Sequence, residues 1–150
     1  MTATSGANRP PRFLHWANAR LTKGLERGRA PKFMRLLTVP GRVTGQPHAT
    51  PVVPVIRDGD VWVVSPYGEV AWVRNVRKAA QLELRWGEER TLYEPRELDA
   101  REATPVLREY LTLPTHWVVR RHFDVTKRSS DEAIAAEAHQ HPVFMLTPVS

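Results

Sequence analysis

Two short stretches hold residue types that could do chemistry. Residues 41–48 read GRVTGQPH. Glycines at 41 and 45 tolerate positive φ, so backbone N–H groups can converge on an anion there. Arg42 offers a planar fork for phosphate or carboxylate, Thr44 a hydroxyl donor, and His48 a further donor when protonated. A plain turn between strands uses Gly and Thr just as readily. Residues 65–75 read SPYGEVAWVRN. A strand ending at Ser65, Pro66, Tyr67 and Gly68 runs at once into a helix. The first turn of a helix presents free N–H groups and the positive end of a dipole, which bind anions. Arg74 and Arg77 add charge, and Glu69 opposes it. Tyr67 and Trp72 could flank a flat ring; the plainer alternative buries Trp72 and leaves Arg74 in solvent. Together the two stretches suit a phosphorylated, flat ligand held between a strand turn and a helix start.

Other chemistries find little support. The chain has no cysteine, which excludes disulfides, thiolate catalysis and zinc sites that need sulfur. The serines lack a G-x-S-x-G elbow, and neither a dinucleotide-binding G-x-G-x-x-G nor a P-loop is present. Six histidines (15, 48, 116, 122, 139, 141) have no standard ligand spacing. No metal site is expected, and the histidines read as surface residues.

The elements that must position these residues follow from periodicity. Residues 1–11 are polar with Gly and Pro and read as a disordered tail; residues 12–150 read as one domain. Residues 12–27 form a basic amphipathic helix, with Phe13, Trp16, Ala17, Leu21 and Leu25 on one stripe and Gly28 at its end. Strand signals cover 33–39, 49–57 and 61–65, the last two joined by a tight turn at 58–60. A helix is expected over 69–80, strands over 82–86 and 90–94, and a helix over 99–111 that Pro105 kinks or shortens. Residues 115–125 are ambiguous. Asp131 is expected to cap a helix over 131–141, and 143–146 is a buried strand. The sum is an α+β fold: a small barrel of five or six mostly antiparallel strands with inserted helices.

Charge is distributed unevenly. Of the net +6, residues 1–45 carry +8 and the rest −2. A cationic end points to an anionic partner: a phosphorylated ligand, a membrane surface or nucleic acid. A solvated basic face that keeps the chain soluble is the plainer account. No apolar run approaches the ~20 residues of a membrane span, and residues 1–15 lack the apolar centre of a secretory signal. A cytoplasmic location is expected.

The two stretches in this order and spacing resemble the deazaflavin-dependent nitroreductase family of actinobacteria, a branch of the split-β-barrel flavin and deazaflavin oxidoreductases. Gly41-Arg42-Val43-Thr44-Gly45-Gln46-Pro47 matches the family's G-R-x-[TS]-G-x-P, and Trp72-Val73-Arg74-Asn75-Val76 its W-x-x-N-[LV]; the likeness spans roughly 33–146. The resemblance implies a split barrel that binds coenzyme F-420, an 8-hydroxy-5-deazaflavin with a phosphodiester and a polyglutamate tail, in preference to FMN. It implies that Arg42, Thr44, Gly45 and Gln46, with His48 and Arg74 adding charge, hold the phosphate and tail. Ser65, Pro66 and Tyr67 would line the ring, and Trp72, Val73 and Asn75 would close the pocket. It implies hydride transfer from the reduced coenzyme to a small acceptor such as a quinone, enone or nitro compound. Tyr67, Tyr110, His116 and Trp117 stand where the acceptor would lie, and no side chain has to act as acid or base. Val43 and His48 depart from the family, where basic residues are common at both places. A homodimer is a reasonable expectation.

Two other readings stay open on the sequence. One is a split-barrel protein that binds or carries deazaflavin or FMN without turnover. The other is a nucleic-acid or anionic-membrane binder using residues 9–35. It lacks the aromatic and basic interleaving of a strand-binding platform, so nucleic acid is not expected, while peripheral membrane contact through the basic helix is.

Overall fold

The computed structural model describes residues 13–114 and 119–149, with the backbone alone for 13–18. The expected tail at 1–11 and two expected acceptor-site residues, His116 and Trp117, lie outside the described residues. Among the described residues, seven strands and four α-helices follow one another as α1 (Phe13–Glu26), β1 (Arg35–Pro40), β2 (Pro47–Val52), β3 (Val55–Arg57), β4 (Asp60–Val64), α2 (Ala71–Lys78), β5 (Leu82–Trp86), β6 (Glu89–Glu97), α3 (Ala100–Tyr110), α4 (Asp131–Glu137) and β7 (Val143–Pro148). All strand pairs are antiparallel, in the order β2-β1-β5-β6-β7-β4-β3.

That order forces the sheet to curl. β2 and β3 lie at its opposite ends, yet only Val53 and Pro54 separate them. Three residue steps reach at most about 11 Å, so the two edges meet and the sheet wraps into a barrel. The expected single strand over 49–57 is therefore two, because Pro54 cannot continue a ladder and the chain turns there. Long β6 makes another corner. It pairs with β5 through residues 89–93 and with β7 through 93–97, and Tyr93 faces both Leu82 and Pro148. Pro95 falls beyond the β5-paired part, where its missing N–H is not needed. The hairpin between β3 and β4 turns on Asp58 (φ 52°) and Gly59 (φ 86°), the left-handed pair that a two-residue turn requires.

Alternation sends successive side chains to opposite faces. From β7, Phe144 and Leu146 enter the barrel core with Leu37, Val63, Trp72 and Val73. Val143 points the other way, under Leu107 and Ile134 of α3 and α4. Asp99 caps α3 in a reciprocal box with Glu102, and Pro105 does not end the helix, which runs to Tyr110. The cap of α4 corrects the sequence expectation. Ser130, not Asp131, accepts the Ala133 N–H at 3.1 Å, while Asp131 pairs with Arg108 at 2.6 Å. Helix α1 docks through Leu25, which is fully buried with Ala30 and Leu36. The Trp86 indole N–H donates to the Ala30 carbonyl at 3.0 Å.

Candidate functional site

The turn between β1 and β2 is built by its own backbone. The Gly41 N–H donates to the Gln46 carbonyl at 2.7 Å, and the Gly45 N–H to the Gly41 carbonyl at 2.9 Å. Gly45 sits at φ 77°. Gly41 is required for a different reason: a Cβ there would lie 2.9 Å from the His48 ring. The Thr44 hydroxyl accepts the Gln46 N–H at 3.2 Å, so it shapes the turn as well as lining it.

Helix α2 fixes the turn from across the barrel rim. Asn75 is buried, and its Oδ1 accepts from the Arg42 backbone N–H (3.1 Å) and from Arg42 Nη1 (2.8 Å). One side-chain oxygen thus sets both the backbone and the fork of Arg42. Between turn and helix lies an open cleft of about 380 Å³, lined by Arg42, Thr44, His48, Ala71, Trp72 and Asn75 among others. The N-cap of α2 is Val70, which offers no side-chain acceptor. The Val73 N–H turns back to the Val70 carbonyl at 3.1 Å, and Ala71 and Trp72 of the same first turn line the cleft; a helix start without a side-chain cap suits an anion. Glu69 does not spoil the field. Its carboxylate pairs with Arg77 at 2.8 Å, and Arg77 also makes a bidentate contact with Glu97 (2.8 Å each).

The Ser65–Gly68 loop precedes α2 and stands outside the residues that line this cleft. Ser65 is fully buried; its N–H extends the β4–β7 ladder to the Pro142 carbonyl (2.9 Å), and its hydroxyl donates to the Gly68 carbonyl (2.6 Å). The Pro66 carbonyl meets His141 Nδ1 at 3.1 Å, and His141 Nε2 meets Glu137 Oε1 at 3.0 Å. His141 is 2% exposed and Glu137 6%. The His141 ring stacks on Phe123 with centroids 3.8 Å apart. Burial pushes the His141 pKa down, opposed by the Glu137 bond and charge. Tyr67 is half-buried and meets the His122 ring edge-on at 4.7 Å; burial raises its pKa and nearby Arg121 opposes that. Burial, then the Arg121 and His141 charges, lower that of His122.

The expected site residues sort clearly. Arg42, Thr44, His48, Trp72 and Asn75 line one cleft, with Gly45 and Gln46 in its turn. Ser65, Pro66 and Tyr67 stand together on the neighbouring loop. Val73 is fully buried in the barrel core and Arg74 is exposed; neither lines the cleft. Tyr110 is buried against Phe123, and burial raises its pKa; it supports the region rather than opening onto the cleft. His141 overturns the expectation of surface histidines. Glu137 and His141 were missed although their i, i+4 spacing was visible, because nothing local says that a helical face is buried. Among the described residues, no three His, Asp or Glu side chains form a metal-holding group, and no helix is long and apolar enough to cross a membrane.

A curled antiparallel barrel with an anion-suited cleft at its rim is the split-barrel architecture. A family model of the F420H(2)-dependent quinone reductases matches residues 12–119. The chain belongs to that family: it is a reductase that depends on coenzyme F-420. No curated protein matches. Among solved structures it is similar to an F420-H2 dependent reductase (FDR-A), at 17% identity and TM-score 0.55 over 77% of this chain and 94% of that one. It is also similar to a domain-swapped dimer, at 16% identity and TM-score 0.57 over 89% and 98%. General Stress Protein 26 of Bacillus anthracis matches at 7% identity and TM-score 0.52 over 87% of each chain. At these identities the likeness concerns the fold.

Proposed function

We propose that this chain reduces a small organic acceptor, a quinone before an enone or nitro compound, with hydride from reduced coenzyme F-420. The observation that carries the cofactor half is the Arg42 turn, braced by Asn75 beside the uncapped start of α2. This donor set fits a phosphodiester and an acidic tail. Arg42, with Thr44, Gly45, Gln46 and His48, holds that part. The Ser65–Tyr67 loop supports the flat ring, and Trp72 with Asn75 closes the cleft. When bound, the coenzyme supplies the hydride chemistry. The chain's own residues bind it, orient it and exclude water. The family's description favours quinones as acceptors.

The test is oxidation of reduced coenzyme F-420, followed optically, with menadione, cyclohexenone and a nitroaromatic in parallel. Turnover fastest with menadione is expected. Binding without turnover on any of the three would replace this reading by the carrier alternative. A homodimer belongs to the same proposal, and light scattering decides it.

A further inference from the structure

The Glu137–His141 pair is poorly explained by stability alone. A phenylalanine at 141 could stack on Phe123 as the imidazole does, and replacing buried polar pairs by apolar residues is often neutral or stabilising. The pair also faces a proton requirement. Both ring nitrogens of His141 meet acceptors, the Pro66 carbonyl and the Glu137 carboxyl group. A neutral imidazole has one N–H. Both contacts are hydrogen bonds only when the pair shares two protons, the second lying along the Nε2–Oε1 line.

The place of the tether is informative. Pro66 has no N–H, so the β4–β7 ladder stops at Ser65. Beyond it the loop is held by side chains: Ser65 on Gly68, and His141 on Pro66. Glu137 also accepts the Asp124 N–H at 2.9 Å. One pair thus ties together the Ser65–Gly68 loop, the segment carrying His122, and α4.

We propose that Glu137 and His141 are positioning residues of the reductase site, setting through the Pro66 carbonyl the angle at which the Ser65–Gly68 loop meets the flat ring. The proposal rests on the reading that this loop supports the ring. The pair acts on orientation and leaves the charge-based hold of the Arg42 turn untouched.

Three measurements test this on His141→Phe and Glu137→Gln. The first is amide hydrogen exchange of residues 67–70 in the protein without coenzyme. The second is affinity for coenzyme F-420 by fluorescence quenching. The third is kcat with saturating reduced coenzyme and menadione. In His141→Phe, loop exchange should rise about tenfold with strand amides unchanged. The coenzyme Kd should stay within about threefold, and kcat should fall about tenfold or more, since small misplacements at a reacting centre are costly. His141→Asn, which keeps a donor toward Pro66, should recover part of kcat. Unchanged loop exchange, or coenzyme affinity and kcat falling in parallel, overturns the proposal. If His141→Phe does not fold, Glu137→Gln carries the same test, in the same direction and to a smaller extent. A wild-type protein that does not bind the coenzyme sinks the cofactor reading. A wild type that binds and turns over, with kcat unaltered in the variants, sinks this proposal alone.

Discussion

The two walls of the proposed site are built on opposite principles. The turn at 41–46 is exposed, polar and held to the barrel by one asparagine oxygen. The loop at 65–68 begins on a fully buried serine and is tied at three points, one of them through a buried carboxyl–imidazole pair. Charge attraction tolerates an adaptable, wet surface, because it falls off gradually with distance. Presenting a flat ring in one pose does not, since orientation is lost with small displacements. The contrast assigns affinity to the first wall and geometry to the second.

The sharpest way to break this contrast is Glu137→Ala. It leaves the buried His141 ring without its acceptor and frees the Asp124 N–H, so a loss of about 3–5 kcal/mol is expected from urea unfolding. A loss under about 1 kcal/mol would mean that the pair is not an organising element. Arg42→Ala should do the reverse: coenzyme affinity falls about 10–100-fold, the worth of a charge-assisted contact, with the melting temperature unchanged. Unchanged affinity would reduce the turn to a turn. Asn75→Ala removes the brace of Arg42 and one lining side chain while leaving the guanidinium in place, so affinity should fall about three- to tenfold, within the range of ordinary hydrogen bonds. Salt extends the test. Coenzyme binding should weaken between low and physiological ionic strength, because the turn is exposed to screening, whereas unfolding free energy should change little.

Acid gives the smallest expected effect. The folded pKa of His122 is lowered, chiefly by burial. The unfolded chain therefore takes up its proton first as pH falls through about 6.5. The stability this group contributes is complete above that pH and declines as pH drops toward its lower folded value. Thermal melts of His122→Gln and the parent chain at pH 7.5 and 5.5 should show a larger acid loss in the parent. An equal loss in both would place the His122 ring in solvent.

Legibility differed between the walls for the same physical reason. The form of GRVTGQPH could be read because it is local: glycine dihedrals, an arginine and a hydroxyl act over a few residues. Periodicity likewise placed most elements, including the 58–59 turn and the α2 region. The two prolines in 49–57 pointed to an edge or a bend, though not to two strands at opposite ends of the sheet; the corner at Tyr93 and the Ser130 cap were missed, since each depends on where a ladder partner or a neighbouring helix stands. Val73 was expected at the pocket from the family resemblance, but helix phase turned it into the core.

By itself the sequence determined the chemistry on offer: an anion-binding turn, a helix start after a polar loop, a cationic first third and an alternating pattern that closes as a barrel. Tertiary structure alone decided which of those groups meet. Asn75 reaches Arg42 across 33 positions, and His141 reaches Pro66 across 75. Such contacts depend on the curl of the sheet, which brings its two edges together, and no local preference records that closure. Burial is the other property that only the fold assigns. It turned His141 from a surface histidine into one that holds the site loop.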